Sequence, residues 1–142
     1  MKPRVILDTG PLVALLNTRD RYHEWAIGQW EDIEPPLVTC ESVISEACFL
    51  LAGDPRGPSA VLAMISRRAV TVGFSLDAQA ERIAFLMRKY AAVPMSVADA
   101  CLVRMSEEVH GSTILTLDAD FRTYRRNGRQ IIPLMIPDDR RS

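Results

Sequence analysis

The sequence predicts a three-layer α/β/α domain built on a central, mainly parallel sheet. Three observations carry this. Short, unbroken apolar runs such as Val5-Ile6-Leu7 alternate with stretches whose apolar residues recur at helical spacing, and prolines and glycines fall at the boundaries between them. Strands of a parallel sheet are buried on both faces and so read as continuous rather than alternating apolar runs, and β/α alternation places helices over both faces. A chain of 142 residues fits one domain, taken as 1–142.

The elements follow in order. Val5 to Leu7 is a first buried strand, and Gly10-Pro11 offers a helix entry with proline at its first position, continued by Leu12 to Leu16. A second helix covers Tyr22 to Asp32. Pro35-Pro36 interrupts, Leu37-Val38-Thr39 is strand-like, and Ser42 to Ala52 is helical until Gly53-Asp54-Pro55 stops it. Pro58 to Arg68 gives a further helix and Ala69 to Val72 a second inner strand. Asp77 to Tyr90 is a long amphipathic helix, and Pro94 separates it from a helix over Val97 to Val109. The run Ser112 to Leu117 holds the Ile114-Leu115 strand, followed by a short helix through Phe121. Ile131-Ile132-Pro133-Leu134 closes the chain as a strand whose proline favours an edge.

Composition narrows the function classes. With 48% hydrophobic and 25% charged residues, the chain has the balance of an ordinary globule. No stretch approaches the roughly 18 uninterrupted apolar residues of a membrane span, and no targeting segment is evident, so a cytoplasmic protein is expected. Cys40, Cys48 and Cys101 are odd in number and match no zinc or redox spacing, which makes them reduced core thiols. The net charge of −1 hides a split. Setting aside Asp8, Glu46, Asp99 and Asp118 leaves +3, carried by fifteen arginines and two lysines. Arg122, Arg125, Arg126, Arg129, Arg140 and Arg141 lie in the last 21 residues, as either phosphate-binding or merely solubilising groups.

Those four carboxylates carry the chemistry. Asp8 and Asp118 leave the carboxyl ends of two buried strands, which share one edge in an open parallel sheet, the edge where ligands bind. Each acid also has a structural explanation: Asp8 and Asp118 suit helix caps, and Asp99 lies three residues after Ser96 in a capping-box arrangement. Glu46 sits at the edge of an apolar helix face formed by Val43, Ile44, Ala47, Leu50 and Leu51. Independent caps need not converge, whereas a metal site requires convergence, and converged carboxylates must hold a cation or a proton. Magnesium or manganese (Mg2+ or Mn2+) suits oxygen donors and activates water for attack on phosphorus without a protein nucleophile. That fits a chain whose histidines, His23 and His110, are isolated.

At these residues the chain resembles the PIN-domain family, and most of all the ribonuclease toxins of bacterial VapBC toxin-antitoxin pairs. Asp8-Thr9-Gly10-Pro11-Leu12-Val13-Ala14-Leu15 resembles the opening motif, Ser45-Glu46 the second, Val97-Ala98-Asp99-Ala100 the third and Leu115 to Phe121 the fourth. The resemblance implies a Rossmann-like fold, metal-dependent cleavage of single-stranded RNA, a homodimer, and an antitoxin that blocks the acidic pocket. It implies Asp8 and Asp99 as principal ligands, Glu46 and Asp118 completing the acidic ring, and Thr9 and Thr116 as polar neighbours. Asp120 is an additional acid, read as a surface residue of a helix's first turn. The competing reading is a PIN-like module that binds RNA or protein without cutting, with Tyr22, Trp25 and Trp30 as a partner surface or as core.

Overall fold

A computed structural model describes residues 2–138. Strand β1 (Val5–Leu7) leads into helices α1 (Thr9–Leu16) and α2 (His23–Asp32), then β2 (Leu37–Thr39), α3 (Glu41–Leu50) and α4 (Arg56–Ser66). Next come β3 (Val70–Val72), α5 (Leu76–Lys89), α6 (Val97–Glu108) and β4 (Thr113–Leu115). A short 3-10 helix (Ala119–Arg122) precedes β5 (Arg125–Arg126), β6 (Gln130–Ile131) and β7 (Leu134–Met135).

Five strands form one sheet in the order β3-β2-β1-β4-β7, every neighbouring pair parallel. Ile6 lies opposite Val38 on one side and Ile114 on the other, and all three are buried. The chain builds outward from β1 through β2 to β3, then returns to place β4 on the opposite flank. Strand order therefore reverses between β1 and β4, where the connections diverge and leave a crevice at the carboxyl ends. Gly10 keeps that crevice narrow, since a Cβ there would lie 3.1 Å from the Leu117 side chain.

The helices cover the sheet as the apolar patterns require. On α5, Ile83 and Leu86 are buried, each contributing roughly 1.5–3 kcal/mol, and α5 packs on α6, whose residues Ala100 to Val103 are buried throughout. Trp25 and Trp30 are half-buried and pack against the core. Cys40 and Cys101 are buried, Cys48 is half-buried, and none forms a disulfide. His23 Nδ1 bonds the Ala14 carbonyl at 2.7 Å, tying α2 to α1, while His110 is exposed beyond the end of α6.

Several expectations need correcting. β3 is an edge strand rather than an inner one, because β2 separates it from β1. α1 begins at Thr9, so Pro11 occupies its third position, still within the first turn where its missing N–H costs no helical bond. The buried stripe of α3 is narrower than expected: Val43, Ala47 and Leu51 are inside, whereas Leu50, on the flank nearer Glu46, is 56% exposed. Ile131 does not reach the main sheet. It pairs in a β5–β6 hairpin that turns at Asn127 and Gly128, whose φ values of 52° and 85° suit the primed turn that hairpin twist favours. The last sheet strand is β7, just after Pro133, and it does form an edge.

Two of the six late arginines serve the fold. Arg125 Nη1 donates to the carbonyls of Arg122, Thr123 and Tyr124, and Arg126 Nη1 to those of Ser106 and Ser112. Arg140 and Arg141 lie outside the described residues. Among the described residues, no helix is long and apolar enough to cross a membrane.

Candidate active site

The end of β1 and the end of β4 meet at the crevice. Asp8 caps α1, and its Oδ1 accepts the Thr9 N–H at 2.8 Å. Its Oδ2 accepts the Thr116 hydroxyl at 2.6 Å, and the same hydroxyl oxygen accepts the Asp118 N–H at 2.9 Å. One threonine therefore joins the first and fourth acidic segments. The Thr9 hydroxyl donates to Glu46 Oε1 at 2.7 Å, bringing the exposed second acid of α3 to the same place.

Asp99 arrives from the first turn of α6. The capping box with Ser96 is present, so the structural reading of this residue holds: Ser96 Oγ accepts the Asp99 N–H at 3.0 Å, and Asp99 Oδ2 accepts the Ser96 N–H at 3.4 Å. Asp118 likewise caps the 3-10 helix, its Oδ1 accepting the Asp120 N–H at 2.9 Å. Capping and convergence are compatible because capping uses one oxygen. Glu46 Oε2, Asp99 Oδ1 and Asp118 Oδ2 have no hydrogen-bond partner among the described residues.

The electrostatics show that three of these groups share a field. Burial above all raises the Asp8 carboxyl to about 6; the bonds from Thr116 and Thr9 oppose this, and the charges of Asp99 and Asp118 add to it. Burial also raises Asp99, with Asp118 pushing in the same direction. Asp120, exposed as expected, is raised by desolvation and then by Asp118. No ion pair among the described residues reaches Asp8, Glu46, Asp99 or Asp118.

The donor set, carboxylate oxygens with hydroxyl neighbours, has the chemistry that a hard divalent cation takes. The side chains stand apart, however: among the described residues no group of three or more acidic, cysteine or histidine side chains is close enough to hold an ion together. The Thr9 and Thr116 hydroxyls link Glu46, Asp8 and Asp118, and charge links Asp8, Asp99 and Asp118, but the four acids do not form the expected cage. Beside it, a cavity of about 750 Å³ between α3 and the start of α6 is lined by Glu46, Ser42, Ser45, Phe49, Ser96 and Val97.

One member had no sequence signal. The Tyr124 hydroxyl donates to Asp99 Oδ2 at 3.0 Å, and burial, then the charge and bond of Asp99, push this phenol far above its ordinary value. Its partner lies 25 residues away, and no periodicity or motif links them.

Fold and acids together define a Rossmann-like α/β/α protein with an acidic crevice at the sheet's switch point. The PIN domain family model matches residues 5–127, and the chain belongs to that family. Among solved structures it is similar to Mycobacterium tuberculosis VapC20, described as a sarcin-ricin loop cleaving toxin, with 24% identity and a TM-score of 0.65 over 84% of this chain and 93% of that one. That likeness speaks for the fold. No curated protein matches the sequence.

Proposed function

We propose that this chain is a metal-dependent ribonuclease cutting single-stranded RNA, and the toxin of a toxin-antitoxin pair. The observation that carries the reading is the coupling of Asp8, Asp99 and Asp118 at the carboxyl edge of a PIN fold, with no ion pair to them among the described residues. In this reading Asp8 and Asp99 are the principal ligands of magnesium or manganese, with Glu46 and Asp118 completing the ring. The bound ion supplies a water of lowered pKa and neutralises charge on phosphoryl oxygens.

The chain's own residues set the stage for that chemistry. Thr116 and Thr9 hold Asp8 in one orientation, and Thr9 tethers Glu46 to the same turn. Each bond fixes a carboxylate before RNA arrives, which lowers the reorganisation left to the reacting complex. Phe49, 78% exposed one turn beyond Glu46, and the exposed Leu50 and Leu62 offer apolar surface to an antitoxin helix or a second copy of the chain. The similarity to a named RNA-cleaving toxin supports an RNA substrate.

The test is cleavage of single-stranded RNA by purified protein with Mg2+ or Mn2+, with EDTA, and by Asp99→Asn. Cutting is expected only in the metal-loaded wild type, and Asp99→Asn is expected to lose roughly a hundred-fold or more of the rate. Equal cutting in all three samples rejects metal catalysis. RNA binding without any cutting selects the non-catalytic module instead.

A further inference from the structure

We propose that Tyr124 is a positioning residue for Asp99: its hydroxyl holds one carboxylate oxygen so that the other is left as the donor atom for a divalent cation. The proposal deepens the nuclease reading and rests on it for the role of Asp99. Both bonds to this carboxylate, from the Tyr124 hydroxyl at 3.0 Å and the Ser96 N–H at 3.4 Å, fall on Oδ2, and Oδ1 has no partner among the described residues. The terminal torsion of an aspartate is broad and nearly two-fold, so the long backbone bond alone would set the carboxylate loosely. A second donor on the same oxygen fixes the plane of the carboxylate and with it the direction of the free oxygen.

That donor is rigidly mounted. Tyr124 is fully buried, and its ring meets Tyr90 edge-on at 5.0 Å and Phe121 at 5.1 Å. The Tyr90 hydroxyl accepts the Arg125 N–H at 2.9 Å, and the Arg125 guanidinium holds the carbonyls of Arg122, Thr123 and Tyr124. The phenol therefore cannot swing away without disturbing three rings and a turn. Packing alone does not require the hydroxyl, because phenylalanine would fill nearly the same volume without desolvating a polar group. Nor does the helix need it, because Ser96 already caps α6. What remains for the hydroxyl is Asp99, so the segment after the fourth acid orients the third.

The experiment uses the full chain with Tyr124→Phe, and Thr113→Val as a control that removes a buried hydroxyl bonded to the Pro133 carbonyl, remote from the acids. Manganese affinity, followed by electron paramagnetic resonance without RNA, is expected to weaken roughly ten-fold or more in Tyr124→Phe and to stay unchanged in Thr113→Val, as the loss of an outer-shell partner predicts. On RNA, Tyr124→Phe should lower kcat at saturating Mn2+ and leave KM for RNA in place. Wild-type Mn2+ affinity in Tyr124→Phe overturns the proposal, as does an equal weakening in Thr113→Val or a wild type that takes up no Mn2+. A wild type that binds Mn2+ but leaves RNA intact overturns the nuclease reading alone, since the manganese comparison still decides the role of Tyr124.

Discussion

Two carboxylates that lose solvent, Asp8 at the end of β1 and Glu107 in the last turn of α6, meet opposite fates. Glu107, half-buried as a residue with its side chain 1% exposed, also loses solvent, though less deeply than Asp8, and its oxygens accept bonds from Arg82 at 2.7 and 3.1 Å, Arg104 at 3.2 Å and the Asn127 N–H at 2.8 Å. Burial pushes its carboxyl up, and these bonds overcome that and hold it below the usual range. Among the described residues, Asp8 is given hydroxyl and amide donors and two like charges, and it rises to about 6. Desolvation raises both, Asp8 the more. The difference lies in whether the fold supplies the counter-charge, and a carboxylate left without one is poised to take it from outside.

The comparison predicts that the two residues respond oppositely to removal. The largest destabilisation is expected for Glu107→Ala, which removes the carboxylate that Arg82 and the Asn127 N–H share, while Arg104 keeps Gln79 and Glu108. A loss of about 2 kcal/mol, on the order of 5 °C in melting temperature, should follow with metal affinity unchanged. Thermal melts and a manganese titration check both halves, and a loss of manganese binding would break the contrast. Asp8→Asn should act in the other direction in metal-free protein. A carboxyl raised from 3.8 to about 6 stabilises the fold fully when protonated, below about pH 4, and that contribution is lost as pH rises through about 6. At 1.36 kcal/mol per pH unit the loss approaches about 3 kcal/mol, so the neutral amide should raise the melting temperature well above pH 6 and make no difference below pH 4. A lower melting temperature at high pH would show that the cap at Thr9 matters more than the charge.

What was legible in the sequence is what local chain chemistry dictates. Asp8, Asp99 and Asp118 each follow a strand end or a cap signal within three residues, so their placement could be read from neighbours alone. Leu50 shows the limit: its spacing suits the buried face of α3, but the partners that would cover it depend on how α3 meets the rest of the fold. The order of strands escaped for the same reason, since nothing within Ala69 to Val72 records that β2 lies between it and β1. The β5–β6 hairpin escaped although Asn127-Gly128 is a strong turn signal, because its strands are two residues each and lack the alternating pattern that would mark them. Tyr124 was hidden most completely, its role set by a contact across 25 residues and by rings that pack only in three dimensions.

The smallest effect is expected at Thr116, which joins Asp8 to Asp118. Thr116 is fully buried, gives its proton to Asp8 Oδ2 and takes that of the Asp118 N–H, so Thr116→Val keeps the shape and deletes both bonds. Two separate costs follow. Stranding the Asp118 N–H costs about 1 kcal/mol at any pH. Losing the donor to Asp8 costs only where that group is charged, because the bond favours the carboxylate, and its loss pushes the Asp8 carboxyl further above about 6. Denaturant unfolding should therefore show a larger deficit well above pH 6 than below about pH 4, a gap of about 1 kcal/mol. In the Asp8→Asn background that gap should close, since no charge remains for the hydroxyl to serve. Equal deficits at both pH values would mean that Thr116 supports only the β4 turn, and Asp8 would then owe its orientation to Thr9 alone.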